Sequence, residues 1–147
     1  MPTDSVATAV ARYRKCLKAL RASVALPLRG PRDRSGVIHD FELAYHWGWV
    51  ALRAALEQAG PGSSSALDAI LTAKRIGWLQ GHHPWDALVA AAVRCDQPYD
   101  TEFEESVIER IIGSYVPALG NLGATLEARC DLSDPAHSPK VRTGRST

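Results

Sequence analysis

Polar residues that could do chemistry are concentrated between residues 94 and 100. An alanine-rich run ends there in Arg94, Cys95, Asp96, Gln97, Pro98, Tyr99 and Asp100. A guanidinium, a carboxylate and a phenol this close together could bind a substrate or transfer a proton. Proline and an Asp-Thr pair are equally typical of a turn between two helices. On these residues alone a turn is the preferred interpretation, and a cleft lined by Arg94, Asp96, Gln97 and Tyr99 is the alternative.

A second group of functional side chains lies on a predicted helix, where His39, Glu42 and His46 share one face with Arg53 and Glu57. A carboxylate within one turn of each of two imidazoles could serve acid–base chemistry. The two histidines are about 10 Å apart along the axis at 1.5 Å per residue, too far to share one metal ion. We therefore predict no metal site, and a solvated stripe is the simpler interpretation.

Several common activities lack their sequence signatures. The chain has no phosphate-binding loop, no glycine-rich dinucleotide fingerprint and no serine-hydrolase elbow. Its three cysteines form no C-x-x-C pair, which indicates a reducing compartment without a zinc site. Its tryptophans lie in apolar helical surroundings, which favours a core or an interface over base stacking. No stretch approaches membrane-spanning length, and we predict a cytoplasmic protein.

Composition indicates one soluble domain. Of 147 residues, 46% are hydrophobic and 22% are charged, enough to build a core. We expect the domain to cover residues 1–130 and the polar segment 131–147 to be a disordered tail. Residues 1–34 contain eight Lys or Arg against two Asp, although the whole chain is nearly neutral. This is a local basic patch, far from the composition of a dedicated nucleic-acid binder.

Helical periodicity dominates, and nothing alternates convincingly as a strand. A first amphipathic helix is predicted from about Val6 to Val24, capped by Thr3 or Asp4, with a basic outer face. LPLRGPRDRSG follows as a basic loop. The remaining predicted helices run from Gly36 to Gly60, from Ser65 towards Leu79, from Pro84 to Arg94, and from a capping box at Thr101 and Glu104 through a bend at Pro117.

The second predicted helix is apolar on two faces. Phe41, Tyr45, Gly48 and Leu52 form one face, and Leu43, Trp47, Val50 and Ala54 form the opposite one. One bundle core can cover only one of these faces fully. We therefore predict a homodimer that buries the face made by Leu43, Trp47, Val50 and Ala54.

Three segments carry a family resemblance. GVIHDFELAYHWGWVALRAALEQAG has an apolar pair before Phe41-Glu42 and a Trp two turns later, and SALDAILTAKRIGWLQGHHPWDAL and YDTEFEESVIERIIGSYVPALGNL follow without large gaps. The chain resembles the nucleotidyltransferase substrate-binding subunits of the HEPN superfamily over residues 8–127. This implies an all-α fold, an antiparallel up-and-down bundle of four long helices with a short additional helix, assembled as a homodimer.

The resemblance also implies partners. Members pair with a separate minimal nucleotidyltransferase, often as a toxin–antitoxin module, and bind nucleotide or RNA. ATP and magnesium would belong to the nucleotidyltransferase, and this chain would carry no cofactor. In many pairs the helical member cuts RNA through an Arg, an Asn and a His followed by a Tyr, and the nucleotidyltransferase adenylates that Tyr.

The nuclease motif is degenerate in this sequence. One register puts Ala92, Val93 and Gln97 at the arginine, asparagine and histidine, and keeps only Tyr99. The other register uses Arg94, Cys95 and Tyr99 instead. Neither supplies an imidazole, and a Gln amide cannot exchange a proton near neutral pH.

Three hypotheses follow. The first is a non-catalytic binding subunit of a nucleotidyltransferase, with no catalytic residues of its own and Tyr99 as the acceptor if adenylation occurs. The second is a ribonuclease toxin that uses His39 or His46. The third is a structural dimer without a ligand.

Overall fold

The computed structural model describes residues 5–130 of the chain, and within this range it contains helices and no strand. The helices are α1 (Val6–Ala25), α2 (Pro31–Ala59), α3 (Ala66–Arg75), α4 (Trp85–Cys95), α5 (Thr101–Arg110) and α6 (Val116–Arg129), with a π-helical turn at Ile111–Tyr115 joining α5 to α6. The predicted all-α helical bundle is confirmed. Three segments are long, namely α1, α2 and the continuous run from α5 to α6, while α3 and α4 are both short.

The first helix begins at a cap that the sequence interpretation placed too early. The Ser5 hydroxyl accepts a hydrogen bond from the Thr8 N–H and also donates to the Thr8 hydroxyl. Ser5 is therefore the N-cap, whereas Thr3 and Asp4, the predicted caps, lie outside the described residues. The predicted tail at 131–147 also lies outside them. Tyr13, Leu17 and Leu20 point from α1 into the core.

Helix α2 begins five residues earlier than predicted. Pro31 occupies its first turn, where the missing N–H costs nothing, and Asp33 accepts a hydrogen bond from the Arg29 N–H at 2.8 Å. Much of the predicted basic loop is thus helical, and Gly36 lies inside the helix. At the other end Gly60 has φ 118° and donates to the Leu56 carbonyl, as the glycine in this position suggests.

Helices α3 and α4 are separated by a tight reversal. Ser65 caps α3 as predicted by accepting from the Asp68 N–H. The helix stops at Arg75 and does not continue towards Leu79, because Gly77 adopts φ 83° and the Trp78 N–H turns back to the Ala73 carbonyl. Thr125 of α6 donates to the Trp78 carbonyl and fastens this reversal to the bundle.

The last long segment differs from its prediction at both its start and its middle. The N-cap is Asp100, whose carboxylate accepts from the Phe103 N–H, and not Thr101. Glu104, the expected partner in a capping box, pairs instead with Arg34 of α2. The π turn precedes Pro117, and the Val116 N–H bonds to the Ile111 carbonyl five residues back. The wider turn accommodates the crowding that proline causes in the turn before it.

The core forms around α2, which contacts α1, α3, α4, α5 and α6. The buried Tyr13 ring lies between α2 and α6, and its hydroxyl donates to the Leu119 carbonyl. A Cβ at Gly48 would lie 3.0 Å from Cε1 of Tyr13, so the glycine permits the close approach of α1 and α2. Phe41 stacks on Tyr115 with centroids 5.6 Å apart. Within residues 5–130, no helix is long and apolar enough to cross a membrane.

Candidate functional site

A groove of about 370 Å³ lies between the middle of α2 and the end of α4. Glu42, Tyr45 and His46 line it from α2, where their spacing places them on one helix face. The other wall comes from the last turn of α4 and the residues after it, which are Ala92, Val93, Asp96 and Gln97. Four of the predicted cleft residues, Glu42, His46, Asp96 and Gln97, are therefore brought together by the fold. We call this the α2/α4 groove.

The α2/α4 groove is acidic. Partial burial raises the pKa of Glu42, the nearby Asp96 carboxylate raises it further, and His39 lowers it. Two carboxyl groups this close disfavour each other's ionised form. The groove therefore offers hydrogen-bond acceptors and repels phosphate.

Cys95 lies behind the groove and is buried. Burial raises the pKa of its thiol to about 11, the Glu42 charge adds to this effect, and Arg94 opposes it. The thiol is thus protonated at neutral pH. Since the thiolate is the reactive form of cysteine, Cys95 is a structural residue and not a nucleophile.

Tyr99 is half-buried at the start of α5, where its ring meets the Phe103 ring with centroids 5.4 Å apart. Its pKa is raised first by burial and then by the charges of Glu104, Cys95 and Glu42. A phenol among acidic groups keeps its proton. Tyr99 therefore needs an external base or metal ion to act as a nucleophile.

Arg94 belongs to the turn and not to the groove. Its Nη1 donates to the Pro98 carbonyl at 2.9 Å, and its guanidinium lies 4.6 Å from the centroid of the Phe103 ring. Both interpretations of residues 94–100 thus hold in part. Arg94 and Asp100 stabilise the connection, while Asp96 and Gln97 face the groove.

The two histidines of the stripe lie in different places relative to the groove. His46 lines the groove and packs edge-on against Trp47 with centroids 5.2 Å apart. His39 is exposed and does not line the groove. Across the described part of the chain, no three His, Cys, Asp or Glu side chains are placed to hold a metal ion.

An ion pair that the sequence did not suggest lies next to Tyr99. Arg34 Nε contacts Glu104 Oε1 at 2.6 Å, with both side chains largely shielded from solvent. It connects the start of α2 to α5 and stabilises the end of the bundle that carries residues 94–100. Pro31 was the available signal, because a proline at a first helical position would have placed Arg34 inside the helix.

The groove presents hydrogen-bonding side chains to solvent. Its side chains accept hydrogen bonds from amino or amide groups. A Gln amide and an Ala methyl cannot exchange a proton near neutral pH, so Gln97 and Ala92 form no proton-transfer pair.

The fold and the groove define an all-helical bundle domain with a polar groove between two of its helices. The chain belongs to the family described as nucleotidyltransferase substrate binding protein like, whose model matches residues 8–128. This confirms the predicted membership of the nucleotidyltransferase substrate-binding family. No curated protein matches the chain.

Proposed function

We propose that this chain is a non-catalytic helical subunit that binds nucleotide or substrate and pairs with a separate minimal nucleotidyltransferase in the cytoplasm. The observation that carries the proposal is the family match, which spans residues 8–128 and so includes every helix of the bundle in full or in large part. The α2/α4 groove supplies the surface that recognises amino or amide groups of the ligand, such as those of a base, with Glu42, Asp96 and Gln97 as its hydrogen-bonding groups and with any phosphate held outside the groove.

The chemistry of the groove supports a subunit without its own activity. The Cys95 thiol behind the groove and the Tyr99 phenol beside it both have raised pKa values because of burial and nearby negative charge. Neither is a ready nucleophile at neutral pH. Magnesium and ATP would be held by the nucleotidyltransferase, so the active chemistry belongs to the pair.

The proposal includes a homodimer, and it is compatible with the chain and its nucleotidyltransferase forming a toxin–antitoxin module. On α2, Leu43 is 38% exposed, while Trp47, Val50 and Ala54 are only partly covered within one chain. An incompletely covered apolar face on the most central helix supports association of two copies.

Affinity capture tests the pairing. The tagged chain, expressed in its native organism, should enrich a nucleotidyltransferase identified by mass spectrometry, while a tagged helical bundle of similar size and charge should not. Repeated absence of any nucleotidyltransferase would favour a structural dimer without a ligand.

One observation favours the ribonuclease alternative, namely that His46 lies in the groove with Glu42. An imidazole beside a carboxylate is a common acid–base arrangement. Our proposal expects the purified chain to leave tRNA and messenger RNA intact. Cleavage that disappears in His46→Ala or His39→Ala, and persists in His82→Ala, would establish the ribonuclease instead.

A further inference from the structure

A second and larger groove of about 670 Å³ lies between α1 and α6, and its lining residues all come from helices other than α2 and α4. Its rim is basic, with Arg14, Lys15, Lys18 and Arg21 from α1. Its floor is made largely of small residues, which are Ala11, Gly120, Gly123 and Ala124. The volume is typical of sites that bind ligands. We call this the α1/α6 groove.

The cations of this groove are largely uncompensated. Arg14 pairs loosely with Glu127 at 3.5 Å, in an exposed geometry that contributes little stability. Lys15, Lys18 and Arg21 form no ion pair with any carboxylate of residues 5–130. Arg14, Lys18 and Arg21 recur at helical spacing and extend the positive charge over about 10 Å of the α1 axis.

The glycine floor brings one of these cations against the backbone of α6. A Cβ at Gly120 would lie 2.5 Å from Nη2 of Arg21, so the guanidinium rests where only a glycine leaves space. At Gly123 the same Cβ would make ordinary contacts of 3.5 Å with Leu17 and 3.6 Å with Tyr13. Gly120 therefore positions Arg21 in the groove, and Gly123 does not.

From the uncompensated cations along an open groove between two helices, we propose that the α1/α6 groove binds the phosphodiester backbone of a single nucleic-acid strand. Closely spaced Lys and Arg side chains neutralise successive phosphates, and this accounts for most sequence-independent affinity. No aromatic side chain lines the groove, so it offers no platform for base stacking and recognises phosphate rather than base. The site is independent of any pairing with a nucleotidyltransferase.

The composition of the C-terminal segment offers no counter-charge for this groove. Residues 131–147 contain two Asp against one Lys and two Arg, so this segment carries no excess negative charge to neutralise the groove. The α2/α4 groove is itself acidic and would repel a phosphate chain. The two grooves therefore attract opposite kinds of ligand group.

Fluorescence anisotropy with a labelled short oligouridine RNA tests the proposal on the full chain. Binding should be measurable at about 50 mM salt, and log K should fall with log salt with a slope of roughly −2 to −3 for three to four neutralised phosphates. Lys15→Glu with Lys18→Glu should weaken binding by about tenfold or more, since two attractive contacts become repulsive.

A charge reversal of the same size outside the groove distinguishes binding in the groove from attraction to the overall charge of the protein. Lys74→Glu with Arg110→Glu makes the same change in net charge at exposed positions of α3 and α5. It should leave the affinity nearly unchanged. Equal losses in the two double variants, or no binding at low salt, would overturn the proposal. If polyglutamate competes as strongly as RNA, the groove binds an acidic protein. If ATP competes as strongly as RNA, the groove binds a small polyphosphate. Either result would overturn the assignment to a nucleic-acid strand.

A pair of glycine variants tests the positioning of Arg21 without any change in charge. Gly120→Ala should displace the guanidinium and weaken RNA binding, while its melting temperature should not fall, because alanine favours the helix. Gly123→Ala leaves all four cations in place and should bind like the wild type. Equal affinity of the two variants would contradict the assigned role of Arg21.

Discussion

At the residue scale, Glu42 shows that the α2/α4 groove is not arranged for stability. Its carboxyl is partly buried and lies close to the Asp96 carboxylate, and both effects raise its pKa. A group whose pKa is raised on folding resists ionisation in the folded state. Such an arrangement costs stability at neutral pH, and a recognition role is a physical reason for tolerating it.

Replacing Glu42 by Gln should therefore stabilise the protein at pH 7. The favourable contribution of the protonated carboxyl is present below its ordinary pKa of 4.5 and is lost as the pH rises through the higher folded value. The gain from Glu42→Gln should thus shrink as the pH approaches 4. Chemical denaturation at both pH values measures this, with Glu105→Gln on the exposed side of α5 as the control for removing one carboxylate. A wild type more stable than Glu42→Gln at pH 7 would contradict the electrostatic interpretation.

Tyr99 should be inert towards ATP in this chain alone. Its pKa is raised by burial and by acidic neighbours, so the phenol keeps its proton unless a base or metal ion from another protein activates it. Intact-mass spectrometry should show no adenylate on the isolated protein with ATP and magnesium. If the nucleotidyltransferase partner modifies the chain, the mass shift should be lost in Tyr99→Phe and kept in Tyr45→Phe. A shift that survives Tyr99→Phe would exclude Tyr99 as the acceptor.

At the element scale, the sequence correctly predicted that the helices exist, but it predicted where they begin and end only in part. The apolar spacing of Tyr13, Leu17 and Leu20 can be satisfied only by a helix with one buried face, and the structure has that helix. The start of α5 was ambiguous, because Asp100 and Thr101 are both good capping residues and only the backbone geometry selects Asp100. The basic face of α1 has the sequence pattern of a solvent-exposed surface. The sequence does not show that Gly120 and Gly123 of α6 lie beside this face and form a groove with it.

Replacing Gly36 or Gly48 of α2 by alanine should change the stability of the protein in opposite directions. Gly48→Ala places a methyl group 3.0 Å from the buried Tyr13 ring and 3.3 Å from Leu122, whereas a Cβ at Gly36 meets nothing within 4 Å. Overpacking costs about 1–3 kcal/mol and the better helix propensity offsets up to about 1 kcal/mol, so Gly48→Ala should destabilise by about 1 kcal/mol. Gly36→Ala should stabilise by about 0.5–1 kcal/mol. Urea denaturation distinguishes them, and effects of the same sign would contradict the packing described for α1 and α2.

At the scale of the whole molecule, the bundle separates its charges. The α1/α6 groove is basic and the α2/α4 groove is acidic, although the chain has a net charge of only +1. This separation could not be obtained from composition, since it depends on which helices become neighbours. Glu42 and His46 were accessible from sequence because they share one face of α2, and Asp96 and Gln97 because they follow the end of α4. Tyr45, in contrast, was assigned to the core face, and Ala92 and Val93 were not predicted to line a cleft.

The uncovered face of α2 should hold two copies together. Arg12 lies 5.0 Å above the Trp47 ring and covers part of it, and the remaining apolar surface of Leu43, Trp47 and Val50 is available to a partner. Light scattering at micromolar concentration should give the mass of a dimer, and Trp47→Glu should shift it to a monomer with a smaller loss of thermal stability. Leu71→Glu, at an exposed apolar position of α3, should leave the dimer intact. A monomer mass for the wild type would exclude the homodimer.

The most direct test of the central claim is the mass of the complex formed with the nucleotidyltransferase that affinity capture identifies. The two proteins, purified separately and mixed without ATP, should elute as one species whose mass by light scattering equals whole numbers of both chains. Two separate peaks at the masses of the individual proteins, at concentrations well above micromolar, would contradict the account of this chain as a nucleotidyltransferase subunit.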